Sequence, residues 1–415
     1  MPSQPVSGFD VELGLDDVTC TDCVLKLSVP IQLSNNRINL LRDGQILKQI
    51  SLVGIDTLLE DDNLLPRHSY SYTVSTGLFE NSPPLLVTTL DTTSHEYLWD
   101  PPLVVGGSGN NVFYDCQIMN DSLAQAVGIF YLTDSSGRTD PVLYNLASLT
   151  NQSWTFGRIP YVYQGTGSLA AIPWIFRLSD TDILYGNSVS WNGQGYQNVD
   201  LAIGIFSTSV PNKMWGSPKG FLHLVGNKGL AAYSGDLGSS WSGLATGTTV
   251  NLLDVFGSDE SNNVWACGYS NDYTASVLLQ YVGQTWVATW SRMQSSTPPF
   301  GNLLSSVWAF GNSLYVASDL GVFKCIVSQP LQNAKLLLPL SSFPYRIRGS
   351  SHNNIVVVGD RGMIWHYNGM TWKLIGRTGL TQTLLSVAVG QNRIVAVGAD
   401  DSSIPARAIA YLGRK

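Results

Sequence analysis

Short apolar runs broken by turn residues recur along the whole chain, and the clearest set lies between Phe343 and Gly376. There residues 345–349, 355–359, 363–367 and 371–375 read as four strands, separated by Ser-Ser-His-Asn-Asn, Asp-Arg-Gly and Asn-Gly-Met. Val, Ile, Tyr and Trp between such breaks predict an antiparallel meander. A lone sheet of this kind has two apolar faces and no helix to cover either, so it must stack on copies of itself.

Those copies are visible. A strand ending in Gly, or once in Ser, recurs at Gly128, Gly186, Gly226, Gly268, Ser318, Gly359 and Gly398, at spacings of 58, 40, 42, 50, 41 and 39 residues. A period near 40 with four strands per unit predicts a β-propeller, here of seven blades over residues 94–415. Fourth strands are expected around Trp154, Trp241, Trp286 and Trp372. The last unit shows only three strands, and residues 95–104, HEYLWDPPLV, are expected to supply the outer one and close the ring.

Residues 1–7 read as a flexible tail, and residues 8–91 as a separate β domain. Strands are expected at 11–15, 24–29, 38–42, 45–52, 70–75 and 85–90, with Asp43-Gly44 as a hairpin turn. Leu64-Leu65-Pro66-Arg67-His68-Ser69-Tyr70 resembles the fibronectin type III pattern in which a tyrosine hydroxyl ties down a sandwich corner; that residue would be Tyr70. Leu25 or Leu27 stands where that module usually carries a tryptophan. The expected fold is therefore all-β: a fibronectin type III-like sandwich followed by a propeller.

Composition narrows the function. The 415 residues include 40 Gly, 12 Trp and 18 Tyr, only 13% are charged, and the formal net charge is -7. No basic cluster offers the footprint of a nucleic-acid binder, and no apolar run is long enough for a membrane span. The motifs HEYLWD, VFYDCQI, DPVLYNLA, LVGNKG, NLLDVFGS, VWACGYS and IWHYNGMTW, behind a fibronectin-like module, resemble bacterial exported propeller proteins loosely labelled glucosyl hydrolases, related to bacterial-neuraminidase-repeat propellers. The resemblance implies an extracellular or envelope location, with a leader absent from this chain and a lipid anchor in the full-length precursor as one form of attachment. A glycan or surface protein is the expected partner.

Several motifs invite a catalytic reading. Ser234, Asp236, Gly238 and Trp241 fit the Asp-box, which a bonded turn explains without any substrate. Arg158-Ile159-Pro160 matches a sialidase arginine motif, but follows an expected outer strand. Cys20 and Cys23 form one CxxC with no second pair and no nearby His, so they predict a local disulfide or two packed thiols rather than a metal site. Cys116, Cys267 and Cys325 read as small buried apolar residues. His223 and His366 lie in strands and are expected to make structural hydrogen bonds. No cofactor is called for.

The inner strand of each unit carries the remaining candidates. Aligned on its end, one position holds Asp115, Trp174, Lys213, Asp254, Ser306, Arg346 and Ser386. These could converge at a tunnel mouth, or pair across blades to satisfy buried charge, as Lys213 with Asp254. Asp115, Trp174, Lys213 and Arg346 are the ligand-binding candidates, with Asp115 expected to lack a positive partner. Asp115 and Asp254 are the catalytic candidates for the alternative reading, a glycoside hydrolase, which needs two carboxylates about 5–10 Å apart. The favoured reading is a binding or structural module, and a third is a self-assembling surface component.

Overall fold

The computed structural model describes residues 11–29, 37–75, 81–106, 109–132, 142–150, 153–163, 166–179, 181–186, 188–199, 209–258, 263–292, 299–327, 331–377 and 379–415. The expected tail at residues 1–7 lies outside them. The chain divides into two compact units, one holding the residues up to Ser94 with Tyr367–Thr371, the other His95–His366 with Trp372–Lys415.

In the first unit, Glu12–Val18, Asp22–Ser28 and Asp56–Asp62 form a three-stranded sheet. Gln45–Ser51, Arg37–Arg42, Ser69–Ser75 and Leu85–Thr88, in that order, form a second sheet of four. Alternate residues of both meet in one core, with Leu25, Leu27, Leu40 and Tyr72 fully buried. Asp43 and Gly44 both adopt positive φ between the paired residues Arg42 and Gln45, the mirror-image turn that matches strand twist. The Tyr70 hydroxyl accepts the Leu65 N–H at 2.8 Å, the tie expected at that corner. The strand Asp56–Asp62 escapes the apolar pattern because four of its seven residues are acidic. Its inward-facing Asp61 is held by Arg42 at 3.0 Å and by the Tyr72 hydroxyl at 2.5 Å, so the buried charge is satisfied.

In the second unit, seven sheets of four or more strands follow one another among the described residues, with the two-stranded hairpin Tyr161–Tyr163 and Thr166–Ser168 between the first and the second. Their first strands are Val112–Ile118, Ile175–Arg177, Pro211–Gly216, Asn251–Gly257, Leu304–Phe310, Pro344–Ser351 and Gln382–Val389. The first six sheets are four-stranded meanders. In the seventh, the three strands Gln382–Val389, Arg393–Asp400 and Arg407–Arg414 are completed from the other end of the unit. Trp99 pairs with Gly413, and Leu103, Val104 and Val105 pair with Ala410, Ile409 and Ala408, as the 95–104 expectation requires. The first sheet also meets the seventh directly. Ser386 Oγ donates to Asp115 at 2.6 Å, Asn111 Nδ2 donates to the Ala406 carbonyl at 2.8 Å, and the apolar side chains of the two sheets share one core cluster.

The recurring strand-end glycine has a steric cause. A Cβ on Gly268 would lie 1.8 Å from the Asn251 carbonyl oxygen, and one on Gly398 would lie 1.9 Å from that of Thr383. The inner strand crosses its neighbour too closely there for a side chain. Ser318 takes this place in the fifth sheet, which nothing in the structure explains.

Candidate functional site

The close crossing belongs to a β-bulge repeated in six sheets. Register breaks between Phe113 and Asp115, Pro211 and Lys213, Leu252 and Asp254, Leu304 and Ser306, Pro344 and Arg346, and Leu384 and Ser386. A bulge re-aims the residue after it, and here that residue is the aligned polar one each time. The second sheet has no such break: Ile175 pairs with Tyr185, just as Asp115 pairs with Val127. The equivalent residue is therefore Ile175. Trp174 lies off the aligned position, packed in an apolar cluster with Met214 and Leu224.

The polar residues form two buried networks. Asp115 takes the Lys213 ammonium, the Ser386 hydroxyl and the Ile175 N–H at 3.0 Å. Asp254 takes Arg348 through Nη2 to Oδ1 at 2.7 Å and Nη1 to Oδ2 at 2.9 Å, Arg346 Nη1 at 2.6 Å, the Ser306 hydroxyl, and the Val307 N–H at 3.0 Å. The sequence pairing is thus corrected. Lys213 belongs to Asp115, which does not lack a cation, and Asp254 belongs to the two arginines.

Burial alone would raise both carboxyls, but the cations outweigh it. Lys213 and Arg346 hold Asp115 below the usual carboxylate range, and Arg346 and Arg348 hold Asp254 far below it. A glycosidase acid must carry a proton at working pH. Both carboxyls are instead engaged by cations, as expected of structural ion pairs and not of an acid in the hydrolase alternative.

Strands repeat with period two, so residues two positions on face the same way. This second tier is Gln117, Arg177, Trp215, Phe256, Trp308, Arg348 and Ala388, and it was missed in the sequence although stepping two residues along each aligned strand reaches it. Gln117, Phe176, Arg177, Trp215, Phe256, Trp308 and their neighbours line a cavity of about 460 Å³. A second cavity of about 200 Å³ shares Gln117, Phe176, Trp215 and Phe256 with it and reaches Asp115, Lys213 and Arg348. The Arg348 guanidinium lies 5.1 Å from the centre of the Phe256 ring, so the cation and the aromatic wall adjoin. Arg346 is not among the lining residues.

Glycines make room for the aromatic wall. A Cβ on Gly257 would lie 2.5 Å from the Trp215 ring, and one on Gly349 would lie 2.7 Å from the Trp308 ring. Each ring therefore packs over the glycine of the next sheet, and only an edge of it is left uncovered, Trp215 being 5% and Trp308 1% exposed.

The other motifs are structural. In the Asp-box, Asp236 accepts the Ser240 N–H at 2.8 Å and the Ser240 hydroxyl at 2.6 Å, and the Ser234 hydroxyl at 2.8 Å. These bonds, led by that of the Ser240 hydroxyl, hold its carboxyl down at about 2. The Trp241 indole donates to the Gly238 carbonyl at 3.2 Å. Arg158 donates to the Leu143 carbonyl and lies over the Tyr144 ring, and it does not line either cavity. None of the five cysteines forms a disulfide and all are buried, so Cys20 and Cys23 are packed thiols, with Cys20 donating to the Asp91 carbonyl and Cys23 to the Tyr72 hydroxyl. His366 makes the expected bonds, to Asn354 at 3.0 Å and His95 at 2.8 Å. His223 does not: its Nδ1 has no hydrogen-bond partner among the described residues, and its ring sits among Trp215, Tyr233, Tyr281 and Trp286.

The second unit is a β-propeller by its solved neighbours. The WD40 beta propeller domain of Doa1 aligns over 77% of this chain and 98% of its own, with a TM-score of 0.51 and 14% identity. A structure described as YCF48 bound to D1 peptide aligns over 76% of this chain and 94% of its own, with a TM-score of 0.53 and 13% identity. At such identities the likeness concerns the fold alone. No family model matches the chain, and no curated protein does.

Proposed function

We propose that the chain is a protein-interaction module that takes a peptide segment of its partner into the propeller's central cavity. The observation that carries this is the wall of Phe176, Trp215, Phe256 and Trp308 around one cavity of about 460 Å³. That volume falls within the range of about 300–1,000 Å³ usual for ligand sites. Aromatic faces give large contact area at little entropic cost, and the adjoining Arg177, Gln117 and Arg348 supply polar anchors. One solved neighbour, YCF48, holds a bound peptide, which agrees with this use of the fold.

The finer architecture belongs to the same reading. Seven consecutive sheets with a shared seventh support a seven-bladed ring, and the three-plus-four split of the first unit with its Tyr70 tie supports a fibronectin type III module. Export to the envelope rests on the motif resemblance. Glycan capture is the second reading, favoured by the same aromatic wall; for the hydrolase alternative, Asp115 and Asp254 are both engaged in ion pairs.

The test is a displayed random-peptide library panned on the full chain, with a glycan array run alongside. Enrichment of peptides that is lost in Phe176→Leu, at unchanged melting temperature, is the expected result. Enrichment of glycans alone would overturn the peptide reading.

A further inference from the structure

The charges beneath the aromatic wall specify which part of a peptide enters. Lys213, Arg346 and Arg348 share two carboxylates, Asp115 and Asp254, and the acceptor sites of both are taken by the bonds described above. Three positive charges against two negative leave one in excess, in side chains only 10–12% exposed. The whole chain is acidic, at -7, so this excess is a local feature and not a share of a general positive field. Arg346 Nε makes no hydrogen bond, and its Nη1 meets Asp254 without the alignment of one.

The same network crosses between sheets beside the smaller cavity. Lys213 reaches from the third sheet to Asp115 on the first, and Arg348 from the sixth to Asp254 on the fourth, so the two ties span the ring. A free C-terminal chain end carries a negative charge whatever its last side chain is.

We propose, resting on the peptide reading above, that the occupant is the free C-terminal carboxylate of a partner peptide. Its charge answers the excess at Arg348 and Lys213, and the last side chains lie against Phe176, Trp215, Phe256 and Trp308. This is terminal-carboxylate capture, with side-chain cations in place of a backbone nest.

The test uses the full chain and three labelled peptide pools of five random residues: one with a free C-terminal carboxylate, one amidated, and one amidated with Glu in the last position. The free pool should be retained at least about tenfold better than the amidated pool, the weight of one well-placed charge pair. Gln117→Glu is the matching variant, because Gln117 lines both cavities and its Oε1 accepts the Arg177 N–H at 3.0 Å. Glutamate keeps that acceptor, adds a negative charge, and should abolish the preference for the free pool. Equal retention of free and amidated pools overturns the inference and leaves the peptide reading standing. Preference for the amidated Glu pool overturns it in favour of an acidic side chain. Retention of no pool removes both readings.

Discussion

Arg348 grips Asp254 with two parallel hydrogen bonds, 2.7 and 2.9 Å long, and reaches past the whole fifth sheet to do so. Lys213 crosses the second sheet to Asp115 in the same way. Each tie joins sheets that are not neighbours, so the ring's centre is held by charge where most of the unit is held by apolar packing.

Breaking one tie should therefore cost more than its net worth. Lys213→Met leaves Asp115 buried without its cation, and loss of about 3–5 kcal/mol is expected from urea unfolding. Lys213→Met with Asp115→Leu removes both charges and should recover most of that loss. A single variant as stable as the native chain would show that the pair is not buried as described.

The seventh sheet offers an independent check. Trp99 packs against the cluster of Val356, Ile364, Leu384 and Ile409 and lies over Gly413, whose Cβ would come within 3.0 Å of the indole. Trp99→Ala should lower stability by roughly 3 kcal/mol, the usual cost of removing a large packed ring. Unchanged unfolding would mean that residues 98–105 contribute nothing to closure.

Strand placement was largely legible because turn residues and β-branched runs are local signals. The sites depended on something the pattern does not carry. Asp115 and Lys213 were aligned correctly, but a bulge present in six sheets and missing in the second moved the ring position from Trp174 to Ile175. The partner of Lys213 could not be read either, since its side chain skips a sheet and neighbour-to-neighbour reasoning chose Asp254. Asp56–Asp62 was hidden by its acidic residues, one of which faces inward to meet Arg42.

Stability should fall in mild acid. Burial lowers His223 to about 4, and burial followed by the charges of His95 and Lys415 lowers His366 to about 3, against 6.5 unfolded. With folded values depressed, the unfolded chain binds more protons, so this stability is present above about pH 6.5 and is lost as pH falls toward the folded values. Between pH 7 and about pH 5 the loss should be on the order of 2 kcal/mol per histidine. Urea midpoints at the two pH values measure it, and His223→Phe should flatten the dependence.

The thiols should be silent. Burial pushes Cys23 up to about 11 and Cys325 to about 12, and all five cysteines are sealed from solvent. Thiolate is the reactive form. A colorimetric disulfide reagent at neutral pH should titrate no thiol in the folded chain and five in denaturant. Rapid reaction of Cys20 or Cys23 in the folded chain would contradict their packing.

The aromatic wall makes the last prediction. Gly257 has no Cβ where one would lie 2.5 Å from Trp215 Cη2, with Cζ2 and Cζ3 at 2.8 Å. Those atoms belong to the far edge of the indole. Gly257→Ala must push that ring away, and an overpacked site of this kind costs about 1–3 kcal/mol. The displaced indole should also shift the tryptophan emission and weaken capture of the peptide pool. Phenylalanine is shorter and lacks the colliding edge, so Gly257→Ala with Trp215→Phe should regain stability while peptide capture stays weak. If Gly257→Ala alone is neutral in unfolding and in capture, Trp215 does not pack on Gly257, and the wall is not built as described.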